Sequence, residues 1–122
     1  MKAGITMEQK KAEYYVQINN KSFKQKMKED IAFHDLYNFI DCGTVELISL
    51  TNNIDLWVDE EGLLKKNYIT ELKIKGFDPI RIAGIGILLS FNEEGDPKGL
   101  SLEQLEYISN NMSIRTYGEV NA

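Results

Sequence analysis

The chain is 122 residues long, 43% hydrophobic and 27% charged, with a formal net charge of −5. Residues 1–122 therefore suit one folded domain and are too apolar for general disorder. The acidic balance argues against direct binding of a nucleic-acid backbone, which needs clustered Lys and Arg, while leaving room for a local basic pocket.

A single cysteine, Cys42, cannot close an internal disulfide, and "MKAGITMEQKK" has no apolar signal-peptide core. The longest apolar run, Ile82 to Leu89, holds two glycines and is far too short to span a bilayer. A cytoplasmic protein of a host cell, with no membrane contact, is expected.

Residues 1–11 are polar and read as a loosely packed arm. "EYYVQINNKSFKQKM" admits a helix capped by Ser22 and Gln25, or a hairpin. The hairpin is preferred. Tyr14, Val16 and Ile18 alternate into an Asn19-Asn20 turn, Phe23, Gln25 and Met27 alternate out of it, and Lys24, Lys26 and Lys28 fall on the opposite, wetter face. Asp30 is a good N-cap for "DIAFHDLYNFID", whose Phe33, Leu36, Tyr37 and Ile40 form one helical stripe closed by Gly43.

"TVELISL" and "IDLWV" are β-rich runs joined at Asn52-Asn53. Ile54, Leu56 and Val58 share a face, and Trp57 points the other way. The pattern weakens from Gly62 to Pro79, where "YITELKIKG" reads as a lysine-guarded edge strand. "DPIRIAGIGILLSF" reads as a central strand whose Gly84 and Gly86 face a closely packed neighbour. "SLEQLEYISNN" is a helix opened by a Ser101–Gln104 capping box. Residues 112–122 add a strand or an interaction arm.

Two stretches echo each other: "LWVDEEGLLKK" and "LSFNEEGDPKG". Neither has the alternating oxygen ligands of a calcium loop, so both are expected to be solvent-facing turns. His34, the only histidine, lies beside Asp35 and suggests a general base, but there is no second histidine or paired cysteine for a metal set. No metal or other cofactor is implied. The G-x-G of "AGIGI" lacks the remainder of a dinucleotide fingerprint. Trp57 is a candidate partner anchor if its face is open. Asn67, Tyr68, Arg81 and Arg115 are candidates for a polar pocket that takes an anionic ligand.

The order of "YYVQINNKSFKQKM", "DIAFHDLYNFIDCG", "TVELISL", "LWVDEEG", "RIAGIGILLSFNEEG" and "LSLEQLEYI" resembles a family of small uncharacterised proteins from phages, plasmids and other mobile elements of Gram-positive bacteria. The resemblance covers roughly residues 14 to 108. It departs in "LLKKNYITELKIKGFDP", where the family tends to have proline before an asparagine and only Asn67 matches. The family has no established catalytic residues to carry over, so the resemblance implies a fold and a genomic context.

The expected fold is α+β: an antiparallel, twisted sheet of five or six strands with two short helices on one side. The leading functional expectation is a non-enzymatic binding protein of a phage or mobile element. It would counteract host defence by occluding a defence protein or by sequestering a small nucleotide signal. The alternatives are a small hydrolase-like enzyme using His34, and a housekeeping or structural module of the element. An open sheet edge also makes a homo-oligomer plausible.

Overall fold

The computed structural model describes residues 11–20, 22–65 and 68–119. Its elements in chain order are β1 (Ala12–Asn19), β2 (Ser22–Glu29), α1 (Asp35–Ile40), β3 (Val45–Ser49) and β4 (Asp55–Asp59). After a short 3-10 turn at Gly62–Leu64 come β5 (Tyr68–Ile74), β6 (Ile80–Ala83), β7 (Gly86–Phe91), β8 (Pro97–Lys98), α2 (Leu102–Asn111) and β9 (Met112–Glu119). The main sheet has six strands, five of them in the order β2-β1-β7-β4-β3, with β8 also paired to β7. A separate three-stranded sheet has the order β6-β5-β9. All pairings are antiparallel, and the fold is α+β.

Strand alternation divides the interior in two. Val16, Leu56, Val58 and Leu88 face one way from the main sheet, and Tyr15, Trp57, Ile87 and Leu89 face the other. The first set shares a core with Leu72, Ile74 and Ile82 of the second sheet and Ile108 of α2. The second set is covered by Leu36 and Ile40 of α1. The helices therefore lie on opposite faces of the main sheet, not together on one side. Helix periodicity shows that a helix has an apolar stripe, but not which sheet face receives it.

The strand expected over residues 78–91 is two strands. Gly84, at φ +91°, turns the chain between β6 in the second sheet and β7 at the centre of the main one. Gly86 makes the close approach: a Cβ there would stand 3.0 Å from Leu56 Cδ1 and 3.3 Å from Ile82 Cδ1. The β5 segment, expected at an edge, is the middle strand of its sheet, with Thr70, Leu72 and Ile74 buried. Residues 112–119 form a strand against β5 and so are not a free arm.

Local signals that specify backbone shape hold well. Asn52 and Asn53 both sit at φ 57° in the β3–β4 reversal, as a primed hairpin turn requires. Ser101 Oγ accepts from Gln104 N while Gln104 Oε1 accepts from Ser101 N, closing the capping box. Gln104 Nε2 also donates to the carbonyls of Asn52 and Asn53 at 2.9 and 3.0 Å, clasping the start of α2 to that hairpin turn. The first hairpin forms in the expected facing, with Asn19 paired to Ser22 and the reversal passing through Asn20 at φ 54°.

Helix α1 is shorter than its stripe suggests. Asp30 lies at φ 50° outside it, and Asp41 at φ 61°, not Gly43, provides the left-handed end. The lysine face of β2 is not simply wet either: Lys28 Nζ reaches buried Asp35 Oδ2 at 3.1 Å beneath α1.

Candidate partner-binding surface

The first acidic stretch is an anchored knob. Asp59 leaves β4 and its Oδ1 accepts from Glu61 N at 2.9 Å, a local Asx turn. Leu64 N donates to Glu61 O and Lys65 N to Gly62 O, which winds the chain into the 3-10 turn. Lys65 Nζ returns to Asp59 Oδ2 at 2.6 Å and ties the ends together. The hydrogen bond that Lys65 donates to Asp59 raises the Lys65 pKa, so the ammonium stays charged. Gly62 is buried against β6, where an added Cβ would stand only 2.6 Å from Ala83 O.

This scaffold presents Leu63 and Leu64 outward, 69% and 82% exposed, beside the exposed carboxylates of Glu60 and Glu61. Holding a knob in one shape lowers the ordering cost of docking it, so two adjacent apolar side chains on a fixed turn suit a partner pocket. Sequence reasoning passed over these leucines because they have no partner at strand or helix spacing.

Beside the knob lies a cavity of about 410 Å³ lined by Asn20, Asp41, Asp59, Lys65, Tyr68 and Gly84 among others. Tyr68, a predicted site residue, stands on its rim and is exposed. Cys42 is electrostatically coupled to Asp59 and Lys65. Burial and then Asp59 push its thiol pKa up, and Sγ donates to Thr44 O at 3.2 Å, so Cys42 is a protonated structural donor at neutral pH and not an activated thiolate.

The other predicted site residues disperse. Trp57 is 7% exposed, packed edge-on beneath Phe33 at 5.6 Å, and is not an open anchor. Arg81 and Arg115 lie on the second sheet, on the two strands that flank β5, each in register with Glu71. Tyr117 Oη donates to Glu71 Oε1 at 3.2 Å, and the Arg115 guanidinium lies 5.2 Å from the Tyr117 ring centroid. Neither arginine lines the Tyr68 cavity. Asn67 lies outside the described residues.

A wider groove of about 970 Å³ runs past Lys11, Glu13, Ser90, Lys98 and the start of α2. Its floor is occupied by internal bonds. Glu13 accepts from Gly99 N and Ile31 N, and Gln104 is spent on the clasp. His34 is exposed, with Nε2 3.5 Å from Asp35 Oδ1. Asp35 itself is committed to Ala32 N at 2.9 Å and to Lys28. Among the described residues no three His, Cys, Asp or Glu side chains group as metal ligands would, and no helix is long and apolar enough to cross a membrane.

Residues 1–113 match the model of a domain of unknown function, DUF3846. The chain belongs to the DUF3846 family. No curated protein and no solved structure matches it. The DUF3846 match takes in both acidic stretches, both cavities and α2.

Proposed function

We propose that this DUF3846 chain is a non-enzymatic binding protein that acts in the cytoplasm of a host cell by docking onto and occluding a host protein. The observation that carries the reading is the leucine knob: Gly62 and the Asp59–Lys65 pair hold it rigid while Leu63 and Leu64 stand in solvent beside two glutamates. Its surface calls for a partner with an apolar pocket rimmed by basic groups. The resemblance to phage and mobile-element proteins supplies the context, in which occluding a defence protein would serve the element. Half-buried Glu13 and buried Asp35 are spent on backbone amides and lysine, which supports recognition by surface over acid–base chemistry.

Expression in a host carrying a defence system, with affinity capture of the tagged chain, tests this. Loss of protection together with loss of one captured, identified defence component in a Leu63→Ser/Leu64→Ser variant is the expected result. Full protection by that variant overturns the reading. Sequestration of a small nucleotide is the second reading, favoured by the cavity beside Tyr68. It predicts a thermal shift with cyclic nucleotides that Tyr68→Ala abolishes and the leucine variant keeps.

A further inference from the structure

The two edges of the main sheet are built differently. The β2 edge carries Lys24, Lys26 and Lys28, the usual guard against strand addition. The β3 edge, Val45-Glu46-Leu47-Ile48-Ser49, has no lysine, proline or bulge and pairs with β4 alone. In the second sheet, β6 is only four residues long and carries Arg81, and β9 carries Arg115.

The ladder shows which groups of β3 are open. Leu50 N donates to Ile54 O, and Glu60 N donates to Thr44 O. These pairs fix the alternation, so Glu46 and Ile48 bond to β4 while Val45, Leu47 and Ser49 point their N–H and C=O groups outward. Leu47 is the middle of that outward trio and is 46% exposed.

We propose that β3 is a self-pairing edge, through which two copies of this chain join antiparallel about a two-fold axis at Leu47. In this register Leu47 lies opposite the second copy's Leu47, Val45 opposite Ser49, and Glu46 opposite Ile48. Every outward backbone group of the trio finds a partner. The only charge on the strand meets an apolar side chain, and its own copy lies a diagonal away. A register one residue either way would pair outward groups with inward ones or slip the dyad off Leu47. The symmetric interface is closed, so it yields a dimer and not a fibre. It also buries Leu47 against its copy on the face where Phe33 covers Trp57. The occluding knob is not part of this edge, and the inference does not depend on it.

Sedimentation of the full chain at tens of micromolar, alongside Leu47→Lys, tests the pairing. The wild type is expected to be a dimer and Leu47→Lys a folded monomer with unchanged far-ultraviolet dichroism. Thiol cross-linking in a Cys42→Ser background tests the register independently. Leu47→Cys faces itself at about 5.5 Å between Cα atoms, within disulfide reach, and should cross-link. Glu46→Cys faces Ile48 and should not. A monomeric wild type, a dimer indifferent to Leu47→Lys, or equal cross-linking at both positions overturns the proposal.

Discussion

The two acidic stretches begin with the same solution and end with opposite ones. Asp59 accepts from Glu61 N, and Asn92 accepts from Glu94 N, the same Asx turn to the amide two residues on. After that the glycines part. Gly95 adopts φ +88° in open space, where an added Cβ would meet nothing within 4 Å, and the chain reverses into β8. Gly62 is chosen for lack of bulk, since it lies against the Ala83 carbonyl and lets a 3-10 turn seat on β6. One glycine serves backbone freedom and the other serves packing, although the surrounding letters are nearly identical. A motif shared at this length specifies the start of a turn, and tertiary neighbours decide what it becomes.

The largest expected effect tests that division directly. Gly62→Ala forces methyl against backbone and should cost about 2–3 kcal/mol, an overpacking penalty. Gly95→Ala meets only left-handed strain and should cost about 1 kcal/mol. Urea unfolding of both variants decides it, and a larger loss at Gly95 would break the comparison. Next in size, Asn92→Ala strips an acceptor from the amides of Glu94 and Asp96, bonded at 3.0 and 2.8 Å. A loss of about 1–2 kcal/mol by thermal denaturation is expected.

A second pair of acids sharpens the contrast between a carboxylate with partners and one without. Burial acts to raise the pKa of Asp35, but Ala32 N–H, Lys28 and His34 outweigh it and hold the carboxyl below its ordinary value. The stability it contributes is present above the unfolded value near 3.8 and lost as pH falls through the lower folded one. Asp55 is buried with no side-chain hydrogen bond or ion pair among the described residues, and burial raises its pKa. Its sign is opposite: it penalises the fold at neutral pH, and the penalty is relieved as pH falls through the raised value. Thermal melts of Asp35→Asn should therefore show a lower Tm at pH 7, and Asp55→Asn a higher one, with the Asp55 difference vanishing near about pH 3.

The smallest expected effect on stability falls at Leu63 and Leu64. Exposed leucines changed to serine should alter stability by less than about 0.5 kcal/mol, checked by the same melts, while partner docking is lost.

Features written into backbone chemistry were legible in the sequence: the Asn52-Asn53 reversal, the Ser101–Gln104 box, and the alternation that separates Trp57 from Leu56 and Val58. Features that depend on which surface meets which were not. The residues from Ile82 to Leu89 run apolar from one strand into the next, so no polar break marked the corner, and Gly84 alone signalled it. β5 looked like an edge because its lysines face solvent, but its middle position comes from pairing with a strand much later in the chain, Met112 against Ile74. Trp57 was correctly placed on its own face, and α1, which covers that face, had no sequence mark saying so. The knob was missed for a related reason: Leu63 and Leu64 serve no core, and periodicity reports only residues that do.

The corner at Gly84 has a mechanical meaning. Because a two-residue link carries the chain from one sheet straight into the middle of the other, and Ile82 is wedged against Gly86 across it, neither layer can glide over its neighbour. Local opening below the global transition is therefore expected at the rims, and the Leu56–Ile82–Leu88 seam is expected to open last.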